Sequence, residues 1–288
     1  MTELDGGEVT RSTAVVQDGL LFLSTGLGHR AFDATTGEER WRHDAPVGRM
    51  NKGVALGSGL VFAGLGDARL VALDQQTGER VWEHLVGVEG QVGQWIPAPP
   101  TYADGLVITG MANGDSYLRG RVVALDALTG ERRWLFEVIP PPGAFGSETW
   151  PTDSDVWRWG GGGVWMTPTV DVELGMFFVG TGNAVPMWGG ELRPGDNLFT
   201  ASVVALDLYT GEYKWHQQLV HHEMWEHDLA TPLIVYDATV EGDTRKAVAA
   251  MRTDGYLFML DAETGEPIYP IEEREVPQND FLNTSLTQ

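Results

Sequence analysis

The sequence predicts an all-β chain folded as a segment of a β-propeller with tryptophan-docking blade motifs, and three observations carry that prediction. The first is an internal repeat: AFDATTGEERW ending at Trp41, ALDQQTGERVW at Trp82, ALDALTGERRW at Trp134, ALDLYTGEYKW at Trp215 and MLDAETGEPIY at Tyr269. Five copies of one string along a chain mean a repeat architecture. The second is spacing. Trp41 to Trp82 is 41 residues, Trp82 to Trp134 is 52 and Trp215 to Tyr269 is 54, each close to the length of a four-stranded blade. The third is composition: 37 glycines and 11 tryptophans in 288 residues, with no apolar run long enough to span a bilayer.

Each blade element follows from its residues. Gly19-Leu-Leu-Phe-Leu-Ser and Gly59-Leu-Val-Phe-Ala-Gly are β-rich runs behind a D-G or S-G turn, so they read as strands. The apolar alternation that leads to the motif aspartate is the next strand. D-x-x-T-G is a tight turn in which glycine supplies the positive φ, and the aromatic opens the returning strand. About five to six four-stranded blades are expected in one domain over residues 1–288, with each Thr-Gly turn between the third and fourth strands and each aromatic wedged between blades. The chain starts almost inside its first blade and ends at Asn283-Thr-Ser-Leu-Thr-Gln288, so both ends are expected to be cut.

Composition removes several function classes. With no cysteine there is no disulfide framework, thiol catalyst or zinc–thiolate site. A formal charge of -22, with only Lys52, Lys214 and Lys246 as lysines, opposes nucleic acid and anionic membranes by repulsion. Met1-Thr-Glu-Leu-Asp-Gly-Gly7 has neither the basic start nor the apolar stretch of a signal peptide. His222 and His227 stand five apart, whereas the H-E-x-x-H zinc motif needs four.

The 81 residues from Trp134 to Trp215 exceed one blade, so they hold either a blade without its turn motif or a long inserted loop. The segment at about 138–165 is rich in proline, glycine and tryptophan. Its Trp150, Trp157, Trp159 and Trp165 argue against disorder, and a loop of this size in a repeat domain is expected to line something.

The strings GGGGVW, GTGNAVPMW, RPGDNLFTASVVALDLYTGEYKWH and HHEMWEHDLATP, in that order behind the tryptophan-ended motifs, resemble the quinoprotein dehydrogenases that use pyrroloquinoline quinone (PQQ). The resemblance covers nearly the whole chain, through IEEREVPQND. It is nearer to the glucose and broad alcohol dehydrogenase branches than to the methanol branch, whose adjacent cysteine pair is Pro46-Val47 here. It implies an eight-bladed propeller with PQQ on the axis beside calcium or a lanthanide. It also implies a carboxylate that removes the hydroxyl proton while hydride passes to the quinone.

Residue by residue, the resemblance implies Trp165 as the indole under the quinone and Asn183 as a metal ligand through its side-chain oxygen. The glutamate ligand of the family falls on Asp115, and the catalytic aspartate falls on Glu226. Asp228, two residues on, would share a strand face with Glu226 and stand near the metal. The arginine that grips the quinone is Lys52, and a second basic contact falls on Thr253, with Arg252 one step away. Two further family positions are changed, to Arg11 and Ile96. Read as residues alone, Trp165 is also a core tryptophan, while Asn183 and Asp115 are also ordinary turn residues.

Two function classes stay open. One is a PQQ-dependent dehydrogenase of a primary alcohol or sugar that passes electrons to a cytochrome c or a membrane quinone. By resemblance it is periplasmic, and a complementary chain or a second copy would complete the ring. The other is a cofactor-free propeller serving as a binding or assembly scaffold, as envelope assembly lipoproteins with similar repeats do. GGGGVW, GTGN and WEHD discriminate between them, because blade packing does not require them.

Overall fold

The computed structural model describes residues 10–47, 51–112, 114–240 and 242–288. Among them the strands form five antiparallel sheets, each a meander in chain order. The first comprises β1 (Val15–Gln17), β2 (Leu20–Thr25), β3 (Gly28–Asp33) and β4 (Glu39–Asp44). The second comprises β5 (Val54–Gly57), β6 (Leu60–Gly64), β7 (Arg69–Asp74) and β8 (Arg80–Leu85), and the third β9 (Thr101–Ala103), β10 (Leu106–Gly110), β11 (Arg121–Asp126) and β12 (Arg132–Glu137). The fourth comprises β13 (Thr169–Asp171), β14 (Met176–Gly180), β15 (Ser202–Asp207) and β16 (Tyr213–Gln218). The fifth has three strands: β17 (Ile234–Val240), β18 (Asp243–Met251) and β19 (Leu257–Asp261). The chain packs as two compact units, Met1–Ala112 with Val123–Arg133, and Asn113–Val122 with Trp134–Gln288. Among the described residues no helix is long and apolar enough to cross a membrane.

Burial follows the sequence pattern. The inner strands β6, β10 and β14 are buried at every position and read as continuous apolar runs. The fourth strands are exposed or half-buried at most positions, and in β4, β12 and β16 the motif tryptophan is the buried exception or one of two. In the first unit Trp41 packs with Phe22, Val61 and Val71; in the second, Trp215 packs with Phe178, Val248 and Leu260.

The repeated turn is one hydrogen-bond device used five times. In the first copy the Asp33 Oδ1 accepts the amides of Thr35 and Thr36 at 2.9 and 2.8 Å, and the Thr36 hydroxyl accepts the Glu38 amide at 3.2 Å. The same bonds recur at Asp74, Asp126, Asp207 and Asp261. The turn glycine does two jobs. Its φ is near +75° in the left-handed region (72° at Gly211), and it is the floor under the preceding blade's tryptophan: a Cβ on Gly211 would come within 2.7 Å of the Trp134 ring. Each indole then donates its N–H to a carbonyl just beyond the next motif's aspartate: Trp41 to Gln75, Trp82 to Ala127, Trp134 to Leu208 and Trp215 to Ala262, all at 2.9–3.0 Å. The staple therefore joins successive blades, as the spacing predicts. Tyr269, at the fifth position, is 62% exposed, and no sheet follows it among the described residues.

These turns make stability pH-dependent. Arg133 and the turn amides hold the Asp126 carboxyl below the usual carboxylate range, and the Thr77 amide does the same for Asp74. A depressed folded-state value stabilises fully above the unfolded-state pKa of about 3.9, and that contribution is lost as pH falls through the lower folded value. The wild-type protein is therefore expected to be more stable than Asp126→Asn at pH 7, with the gap closing below about pH 4. Urea unfolding at pH 7 and pH 3 checks this; a gap that widens on acidification contradicts it.

The 81-residue interval contains no additional blade. It holds the fourth sheet and two excursions, at 138–168 and 181–201. The first is anchored by buried Trp150, whose indole donates to the Leu198 carbonyl at 2.5 Å and which clusters with Ile139, Val156 and Ala184. Trp157 and Trp159 pack on that cluster, so the tryptophans order the insertion.

Candidate functional site

The site is assembled in the second unit by the glycine run Gly160–Gly163, which two other segments zip against. On one side the Gly120 amide donates to the Gly161 carbonyl at 2.8 Å, with Arg119 and Gly161 forming a parallel bridge. On the other, Gly162 donates to the Asn183 carbonyl, Gly182 to that of Gly163 and Val185 to that of Gly160, each at 2.8 Å. Side chains would forbid this approach: a Cβ on Gly120 would fall 1.9 Å from the Gly162 carbonyl oxygen. Gly161 and Gly162 also have φ of 88° and 71°. The run therefore brings three segments of chain together: the Asp115 turn, the G-T-G-N string and Trp165.

Asp228 closes the group. Its Oδ2 accepts the Trp165 indole N–H at 2.8 Å and its Oδ1 accepts the Asn183 amide at 2.6 Å. Burial pushes its pKa up to about 6, and the negative charges of Glu223 and Asp115 add to the rise against the two hydrogen bonds. Asp115 lies exposed in a 3-10 turn over Gly114–Ser116, within electrostatic reach of Asp228. The side-chain nitrogen of Asn183 donates to the Ala184 carbonyl at 3.2 Å, which commits that end of the amide and leaves its oxygen as the end that could meet a cation. The donor set is all oxygen, as hard cations require, and a cation would relieve the electrostatic cost at Asp228. Among the described residues no three Asp, Glu or His side chains stand close enough to hold a metal ion.

Glu226 sits differently from its expected place beside Asp228. The segment around it is not a strand: Glu226 has φ +59° and is exposed, while Asp228 is largely enclosed. A left-handed residue reverses the chain, so strand alternation does not put the two carboxylates on one face. Thr253 holds this loop, its hydroxyl donating to the Glu226 carbonyl and its amide to the Asp228 carbonyl, both at 3.0 Å. Arg252 faces elsewhere, paired with Asp254 at 2.7 Å, bonded to the Leu219 carbonyl and stacked over Tyr256 and Phe258. Lys52 lies in the first unit, half-buried, and burial lowers its pKa. Its backbone is fixed by bonds to Pro97 and Thr13, beside Asn51, whose side chain bonds Gly53 and Gly64.

Two organising residues escaped the sequence reading. Arg193 is completely buried, and its guanidinium donates to the carbonyls of Pro186, Met187 and Glu223 and to the Asn197 side chain. Glu223 is completely buried as well, its Oε1 accepting the amides of Trp225 and His227. A charged residue inside each quoted string, R-P-G-D-N and H-H-E-M-W, was the available signal.

The family model described as "PQQ: Glucose/ethanol/alcohol dehydrogenase, beta-propeller domain" matches residues 3–288. The quinohemoprotein alcohol dehydrogenase of Comamonas testosteroni is 37% identical over 288 residues, covering 91% of this chain and 40% of that protein. The quinoprotein alcohol dehydrogenase PedH of Pseudomonas putida is 34% identical, covering 91% of this chain and 48% of that protein. Among solved structures, the quinohemoprotein alcohol dehydrogenase ADHIIG from Pseudomonas putida HK5 superposes with a TM-score of 0.86 at 29% identity, covering 96% of this chain and 44% of its own. BamB from Moraxella catarrhalis, at 21% identity and TM-score 0.59, covering 91% of this chain and 64% of its own, shares the fold. The chain thus spans less than half the length of the curated relatives it matches.

Proposed function

We propose that this chain, which belongs to the PQQ family of glucose/ethanol/alcohol dehydrogenase β-propellers, carries the metal- and quinone-binding side of an enzyme that oxidises a primary alcohol or a sugar. The observation that carries the reading is Asp228, held between the Trp165 indole and the Asn183 amide and pressed by the charge of Asp115. Asn183, Asp228 and Asp115 would hold calcium or a lanthanide, and the face of Trp165 would support the quinone. When bound, the two supply the hydride acceptor and the Lewis acid.

This chain's own residues do the rest. Glu226, exposed two residues before Asp228, takes the hydroxyl proton on its carboxylate, and Thr253 fixes its backbone. At the position of the family's quinone-gripping arginine, Lys52 would offer a point charge without the planar fork. The substrate class, an electron acceptor such as a cytochrome c or a membrane quinone, a periplasmic location and a further chain or second copy that completes the ring all belong to this proposal.

The test is calcium-dependent stabilisation. Calcium is expected to raise the midpoint of thermal unfolding, because a ligand that binds only the folded state stabilises by mass action, by about 2.7 kcal/mol at a hundredfold excess over its Kd. Asp228→Asn is expected to lose that rise while remaining folded. An equal calcium response in wild type and Asp228→Asn removes the metal from this site; no response to calcium or a lanthanide, and no quinone-dependent dye reduction, leaves the scaffold reading.

A further inference from the structure

The loop that presents Glu226 is shaped by a carboxylate three residues before it. Glu223 has no exposed surface, and its Oε1 accepts the backbone amides of Trp225 and His227, the two neighbours of Glu226. One oxygen that gathers two amides from either side of a residue folds the chain around itself. The residue between must reverse, and Glu226 has φ +59°. The side chain of Glu226 is thereby turned outward, exposed, while the backbone curls inward.

The backbone at Glu223 is itself anchored. The Arg193 guanidinium, also without exposed surface, donates to the Glu223 carbonyl at 2.5 Å, and through Pro186, Met187 and Asn197 ties that point to the R-P-G-D-N excursion. From the opposite side Thr253 bonds the carbonyls of Glu226 and Asp228. Glu223 Oε2 is buried with no hydrogen-bond partner. A neutral side chain would cap this turn at lower desolvation cost, so a buried carboxylate with a spare oxygen is an expensive way to do so.

We propose that Glu223, anchored by Arg193, is a positioning residue that sets the direction of Glu226 for proton removal. The proposal rests on Glu226 being the base. Two variants test it, Glu223→Ala and Glu223→Gln, the second keeping an oxygen able to accept both amides. In the chain without quinone, Glu223→Ala is expected to speed hydrogen exchange at the amides of residues 225 and 227 about tenfold or more, with the strands of the fourth sheet unchanged. In the quinone- and calcium-loaded protein kcat is expected to fall about a hundredfold, with KM and quinone affinity within about threefold, because base geometry is demanding. Glu223→Gln is expected to recover at least about tenfold of that loss. Unchanged exchange at 225 and 227, an equal loss of kcat in both variants, or a loss carried by quinone affinity overturns the proposal. If wild type itself shows no turnover, the enzyme reading fails, and the exchange comparison alone decides whether Glu223 shapes the loop.

Discussion

Replacing Glu226 by glutamine is expected to lower kcat by about 10²–10⁴-fold while leaving quinone and calcium binding within about twofold. The substitution keeps the size and hydrogen-bonding ends of the side chain and removes only its capacity to take a proton. The loop should hold its shape, because its bonds run through the backbone amides of Trp225 and His227 and the Glu226 carbonyl. Asp228→Asn should behave in the opposite sense, because Asp228 is largely enclosed and engaged by Trp165 and Asn183. Its loss should appear first in calcium affinity. Single-turnover reduction of bound quinone by a primary alcohol separates the two. If Glu226→Gln turns over normally and Asp228→Asn alone is inert with metal bound, Asp228 is the base.

The largest stability effect is expected at a blade staple. Trp134→Ala should cost about 3–5 kcal/mol, the usual range for truncating a buried tryptophan. Trp134 is 6% exposed, meets Phe177 edge-on at 5.6 Å, lies on Gly211 and donates to the Leu208 carbonyl at 2.9 Å. The variant loses the buried ring and leaves that carbonyl without its indole donor. Tyr269→Ala, at the corresponding but exposed position, should change stability by less than about 0.5 kcal/mol. Denaturant unfolding of both variants checks the contrast. Equal small losses would mean that the indoles do not hold the blades together.

The repeat was legible because its bonds are local. The aspartate, threonine and glycine of each motif satisfy one another within a few residues, so a string of eleven residues specifies the turn. The tryptophan's partner is distant, yet its carbonyl sits at a constant offset in the next copy, so repetition makes a long-range contact readable. Trp165, Asn183 and Asp228 were legible as candidates, but the bond from Trp165 to Asp228 was not, since it spans 63 residues with no periodicity behind it. Glu226 and Asp228 were expected on one face because i and i+2 share a face in a strand. One left-handed residue removes that premise, and the amides bonded to Glu223 that produce it carry no sequence signature. Arg252 was placed toward the cofactor by proximity in sequence, whereas the chain at that point turns Thr253 to the loop and Arg252 to Leu219 and Asp254.

The most direct test of the central claim, that Trp165, Asn183 and Asp228 form one cofactor site, is a crystal structure of this chain grown with PQQ and calcium. Calcium is expected about 2.3–2.6 Å from the Asn183 side-chain oxygen and an Asp228 carboxylate oxygen, with the quinone ring lying on the Trp165 indole. Quinone bound away from Trp165, or calcium ligated elsewhere while Asp228 keeps its bonds to Trp165 and Asn183, would contradict it.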